Sequence, residues 1–255
     1  MKIGLQLYTV RDDTARDFAG TLRQVAEMGY QGVEFAGYGD LSAGEMRDLL
    51  RELKLEAFGS HVSLDRLEHH IDEEIEYLKT VGAKYVVCPY LMPEQRGDEA
   101  AWRALFEKFR GYGERLSREG FVFAYHNHDF EFEGRIGDDY IFDAMYKTVD
   151  PSLLQVEMDI GWVQFAGQDP LAYIAKYAGR LPLLHLKDFR KGAPGEPIDT
   201  VELGRGDLAL QEIIAAAAAA GTEWLVVEQD RCANPPLESV RTSIEWLKNN
   251  GHLSA

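Results

Sequence analysis

Eight short apolar runs, each followed by a stretch of helical character, recur along these 255 residues. That alternation restricts the chain to a fold made of strand–helix units. Strands are predicted near Ile3–Tyr8, Gly32–Ala36, Leu55–His61, Tyr85–Cys88, within Phe121–Phe132, and at Leu153–Ile160, Leu183–Lys187 and Trp224–Gln229. The spacing predicts helices over Thr14–Met28, Ser42–Lys54, Asp65–Val81, Asp98–Glu119, Asp139–Thr148, Pro170–Ala178 and Leu237–Lys248. A further alanine-rich helix ends near Ala220, with Asp207 as its expected cap. Eight such units give the α/β class and a (β/α)8 TIM barrel, expected as a single domain over residues 1–255. A doubly wound open sheet would bring a glycine-rich phosphate loop after its first strand, and Tyr8–Asp12 is no such loop. The Gly/Pro-rich stretch Arg190–Gly206 is longer than most β–α connections and is a candidate lid.

Side chains alternate across a strand, so each run can be sorted into two faces. In Phe121–Phe132, reading FVFAYHNHDFEF, Phe121, Phe123 and Tyr125 share one face. Val122, Ala124, His126 and His128 share the other. The same sorting puts Gly4, Gln6 and Tyr8 together, sets Glu34 apart from Val33 and Phe35, and groups His61 with Gly59 and Ala57. It also groups Gln155, Glu157 and Asp159, then His185 and Lys187, and separates Glu228 from Val227. A purely structural barrel fills its interior with branched aliphatics. Here the inner face turns polar toward the strand ends, and buried charges are costly unless paired or bound to metal. The ring therefore marks a site.

His126, Asp159, His185 and Glu228 end the fifth to eighth strands. Neighbouring strands lie about 4.8 Å apart, so these tips can converge on one ion. Two imidazoles and two carboxylates suit Mn, Co, Fe or Zn, whereas a calcium site takes more oxygen ligands. His128 and Glu131 are alternatives for the fifth-strand ligand, and spacing leaves that choice open.

Composition narrows the partners. A formal charge of −16 opposes binding to a nucleic-acid backbone. No apolar run approaches the length of a membrane span. The opening MKIGLQLYTVRDD has no signal-peptide pattern, and Cys88 and Cys232 cannot make a disulfide framework, so a cytoplasmic location is expected.

The ordered set GLQLYTVRD, GVEFAG, GSHVS, YHNHDFEF, EMDIGW, HLKDF, LGRGDL and VVEQD resembles the xylose isomerase-like TIM-barrel superfamily, its sugar phosphate isomerase/epimerase group, over essentially the whole chain. The HxH pattern with HLKD and VVEQD is similar to the inosose dehydratase-like branch. The resemblance implies a metal held at the ends of strands five to eight by Glu, Asp, His and Glu. Asp159, His185 and Glu228 match three of these, and His126 replaces the first glutamate. The symmetric two-glutamate proton exchange of ketose epimerases therefore does not map onto this chain.

The implied activity is isomerisation or epimerisation of a sugar or keto-sugar, by proton abstraction beside a carbonyl and a metal-held enediolate. The alternatives are a dehydratase acting on an inosose or 3-keto-sugar, and a non-catalytic sugar-binding barrel. An endonuclease of the superfamily would need a basic face. Glu228, Lys187 and Glu34 are the expected catalytic residues, although Lys187 could instead pair with Glu157, and Glu34 could serve a salt bridge. Expected substrate contacts are His61, Glu157, Trp162, His128 and Arg205, the last for an anionic group. The implied partners are a sugar or cyclitol and a second copy of the chain, pairing through exposed helices into a homo-oligomer.

Overall fold

A computed structural model describes residues 1–190 and 199–253. The eight apolar runs form parallel strands closed into one barrel. They are β1 (Lys2–Gln6), β2 (Gly32–Phe35), β3 (Glu56–His61), β4 (Tyr85–Cys88), β5 (Val122–His126), β6 (Gln155–Asp159), β7 (Leu183–Leu186) and β8 (Trp224–Val227). Each pairs with its neighbour in chain order, and β8 pairs with β1, as a (β/α)8 TIM barrel requires.

The pleat sorts the side chains largely as alternation predicts. Leu184, Leu186, Leu225 and Val227 join the layer under the helices, while Leu183, Val226, Val87 and Ala124 join Phe58, Tyr85 and Trp224 inside the barrel. Phe58 and Trp224 stack with ring centroids 4.2 Å apart and plug its amino-terminal half. Glycine makes room for them. A methyl group on Gly4 would lie 2.3 Å from Phe58 Cε1, and one on Gly32 would lie 2.7 Å from Trp224 Cη2. The polar residues occupy the ring beyond this plug.

One face assignment fails. Ala57 packs outward and Phe58 inward. Val33 and Glu34 pair with Ala57 and Gly59, leaving Phe58 unmatched, and this bulge resets the pleat before His61.

Two predicted helices are each divided in two. Asp17 adopts an extended conformation, and its carboxylate accepts the Gly20 N–H at 2.8 Å, so Arg11–Arg16 and Phe18–Met28 are separate helices. A second break at His70 separates Leu64–His69 from Ile71–Val81. β5 stops at His126 and a 3-10 turn follows at Phe130–Phe132, so strand alternation does not place His128. The alanine-rich helix Leu210–Ala220 starts from Ala209 with no side-chain cap, not from Asp207. The expected lid begins as an antiparallel hairpin, Asp188–Arg190 with Asp199–Val201. Its centre, 191–198, lies outside the described residues. Among the described residues no helix is long and apolar enough to cross a membrane.

Candidate active site

The strand ends deliver a dense polar ring into the barrel mouth. Gln6, Glu34, His126, Glu157, Asp159, His185, Lys187 and Glu228 are all buried, and His61 is half-buried. Donor atoms of His126, Asp159, His185 and Glu228 lie within 4.8 Å of one another, and those of His61, His126, Glu157 and His185 form a second, overlapping group.

His185 is the hub. Its Nδ1 lies 2.7 Å from Glu228 Oε2 and its Nε2 2.9 Å from Glu34 Oε2. Glu34 Oε2 also accepts the Gln6 amide at 2.8 Å. Glu157 Oε2 lies 2.7 Å from His61 Nε2 and 3.1 Å from His126 Nδ1. His126 Nε2 approaches Asp159 Oδ2 at 3.6 Å. Lys187 Nζ reaches Asp159 Oδ2 at 2.8 Å, Glu228 Oε2 at 3.0 Å and Asp230 Oδ2 at 2.8 Å. Its partners are these three carboxylates rather than Glu157.

Two residues fix the frame. The Asn127 side chain accepts the Asp159 N–H at 2.9 Å and donates to the Asp159 carbonyl at 3.2 Å, tying the ends of β5 and β6 together. Asp159 Oδ1 accepts the Trp162 N–H at 3.0 Å and so caps the helix Ile160–Phe165. Glu131 turns elsewhere, accepting the Tyr125 hydroxyl and, at 2.8 Å, the His128 N–H. Of His126, His128 and Glu131, only His126 joins either donor group among the described residues.

Burial and charge act against each other throughout. Burial alone would neutralise His185, but Glu157 and Glu228 outweigh it and hold the imidazole well above its usual range. Burial likewise opposes a charge on His61, and Glu34 and Glu157 nonetheless raise it to about 10. Glu228 is penalised by burial, yet Lys187 and His185 keep its carboxyl well below the ordinary value. Asp159 goes the other way: burial lifts it to about 6 against the pull of Lys187. Burial, reinforced by the neighbouring cationic groups, drives His126 well below its usual range and leaves it neutral.

The neutral state of His126 suits a metal-donating imidazole, whereas His185, protonated between Glu228 and Glu34 in the metal-free ring, would release a proton on binding an ion. The carboxylates Glu34, Glu157, Asp159, Glu228 and Asp230 outnumber the cationic partners Lys187, His61 and His185. Glu34 Oε1 and Glu157 Oε1 are also buried without a hydrogen-bond donor. A mixed nitrogen and oxygen donor set with surplus negative charge fits a borderline divalent cation.

A chamber of about 420 Å3 opens above the ring, with His61, His126, His128, Glu228 and Asp230 in its wall. Trp162 lines an adjoining outer chamber. Glu34, Glu157, Asp159 and His185 are completely buried behind the lining.

The structure does not bring Arg205 to either chamber. Asp188 accepts the N–H groups of Gly204 and Gly206 at 2.9 Å and Leu208 at 3.3 Å, and the folded turn leaves Arg205 pairing with Glu202 at 3.1 Å. Sequence reasoning passed over Gln6, Asn127 and Asp230. Gln6 carried a signal in its strand parity and Asp230 in its spacing from Glu228. Asn127 carried none, because it lies beyond the end of β5.

A family model described as "Xylose isomerase-like TIM barrel" matches residues 22–250. An inosose dehydratase of Geobacillus kaustophilus is 25% identical over 193 residues, covering 66% of this chain and 61% of its own length, which is less than two thirds. Inosose dehydratase 1 of Bacillus cereus is 24% identical over 242 residues, covering 80% of this chain and 79% of its own. Among solved structures, a sugar phosphate isomerase/epimerase from Parabacteroides distasonis ATCC 8503 has a TM-score of 0.84 at 23% identity, with 99% of both chains covered. The IOLI protein, solved with a zinc atom, has a TM-score of 0.79 at 17% identity, with 100% of both chains covered. The family match spans most of the chain and the closed barrel agrees with it, so this chain belongs to the xylose isomerase-like TIM-barrel family.

Proposed function

We propose that this protein is a divalent-metal-dependent isomerase or epimerase of a sugar, keto-sugar or cyclitol, working by proton abstraction next to a carbonyl. One observation carries the reading: two imidazoles and two carboxylates, all buried, meet within 4.8 Å at the carboxyl ends of four consecutive strands. His126, Asp159, His185 and Glu228 would hold the ion, with Mn, Co, Fe or Zn suited to the set. When bound, it supplies Lewis-acid polarisation of carbonyl and hydroxyl oxygens.

The chain's own residues supply the rest. Glu228, facing the inner chamber, takes the proton from the carbon beside the carbonyl. Lys187, fixed by Asp159, Glu228 and Asp230, stabilises negative charge growing on the neighbouring oxygen. Glu157 and Glu34 keep His61 charged and oriented, and His61 presents that charge to a substrate oxygen. Return of the proton to the adjacent carbon, with the hydroxyl proton passing from one oxygen to the other, isomerises the sugar, and return to the same carbon from the opposite face epimerises it.

Dehydration is a second reading, favoured by the inosose dehydratase relatives. The same proton abstraction is then followed by departure of the β-hydroxyl as water. The test is NMR of keto-sugars and inosose in deuterated water with Mn or Co supplied. Deuterium in a recovered sugar supports isomerase chemistry and loss of water supports the lyase. Neither outcome across a broad panel would sink both.

A further inference from the structure

Two chambers adjoin at the barrel mouth. The inner holds His61, His126 and Glu228; the outer, about 540 Å3, shares Tyr8, Tyr90, His128 and Asp230 with it. None of the four proposed metal ligands lines the outer chamber. Its walls are aromatic instead: Tyr8, Tyr90, Phe130, Trp162 and Phe165. Tyr8 (45%), Tyr90 (38%) and Phe165 (42%) are among the most exposed large apolar side chains of the described residues. Aromatic faces left in water at a cavity wall mark a binding surface.

The rings are held in place. The Arg11 guanidinium lies 4.2 Å from the Tyr8 ring centroid, and Arg96 lies 4.9 Å from that of Tyr90 and 3.4 Å from that of Phe130. Trp162 and Phe165 meet edge to face at 5.5 Å. Arg96 Nε donates to the Leu91 carbonyl at 2.8 Å, which fixes its guanidinium against the two rings. Arg11, Arg96 and Arg231 line the same chamber together with Asp129 and Asp230, so charged groups of both signs surround the aromatic wall.

We propose that the outer chamber is a subsite for a second ring, so that the substrate is a glycoside whose reacting ring carries a ketone. Its reacting sugar occupies the inner chamber, and its other ring, pyranose or aryl, stacks among Tyr8, Tyr90, Trp162 and Phe165. This rests on the metal-centred reading of the inner chamber.

Calorimetric titration of the metal-loaded protein with matched methyl and phenyl glycosides of several hexoses, and with cellobiose, tests it. At least one two-ring compound should bind about tenfold more tightly than its methyl counterpart. Phe165→Ala and Tyr8→Ala should each reduce that ratio to about twofold or less. Equal affinities in every pair, no binding by any two-ring compound, or an unchanged ratio in both variants would overturn the subsite. Deuterium exchange into one-ring keto-sugars without any two-ring preference would remove the subsite alone. Two-ring binding with neither exchange nor water loss would remove the metal-centred reading alone.

Discussion

Asp159 and His185 connect the proposed metal centre to the rest of the mouth, one through Lys187 and the other through Glu228 and Glu34. Asp159→Ala and His185→Ala should therefore each lower metal content after dialysis at least tenfold, with the circular dichroism of the barrel unchanged. Full retention in both would refute the ligand assignment. Glu131 gives a separate test. It is completely buried, and burial pushes its carboxyl from 4.5 up to about 7. The folded protein thus keeps this proton to a higher pH than the unfolded chain. Its contribution to stability is complete below about 4.5 and lost as pH rises toward about 7. Glu131→Gln does not titrate, so its unfolding free energy relative to wild type should climb between pH 5 and pH 8, to a limit on the order of 3 kcal/mol. A difference that stays constant across that range would contradict it. Strand parity was enough to find Glu157, Asp159, His185 and Lys187. It could not reach Asn127, and the expectation for Arg205, drawn from its place between two glycines at an expected helix start, failed because hydrogen bonds to Asp188 from residues on either side set its direction.

Strands and helices were legible as elements because their periods differ, and the breaks within them were not, because those depend on single side chains. Asp17 interrupts one helical pattern by capping the next helix. Asp17→Ala should remove that bond and cost about 1 kcal/mol in chemical denaturation, and an unchanged midpoint would show the cap to be unimportant. At the other end of a helix, Lys54 follows Ala43–Leu53 with φ at 56°, in the left-handed region. Glycine tolerates that conformation, so Lys54→Gly should stabilise the protein by about 1 kcal/mol, measured the same way. A loss of stability would instead show that the lysine stem contributes packing. The bulge at Phe58 was equally hidden, since Ala57, Phe58 and Gly59 are all acceptable inside or outside a strand until Trp224 supplies the stacking partner.

The barrel as a body divides into a packed half and a charged half. In the packed half the stacked Phe58 and Trp224 require backbone without side chains at Gly4 and Gly32. Gly4→Ala and Gly32→Ala should each destabilise by about 1–3 kcal/mol through overpacking, read from urea midpoints. Wild-type stability in both would mean the plug can move aside. The charged half is stable only as a set: carboxylates, imidazoles and one ammonium compensate one another, and their remaining negative charge invites a cation. The decisive measurement is anomalous scattering from crystals soaked in Mn, collected on either side of the Mn absorption edge. A single strong peak bounded by His126, Asp159, His185 and Glu228 is the expected result. A mouth without a peak at saturating Mn, or a peak seated instead between His61 and Glu157, would contradict the assignment.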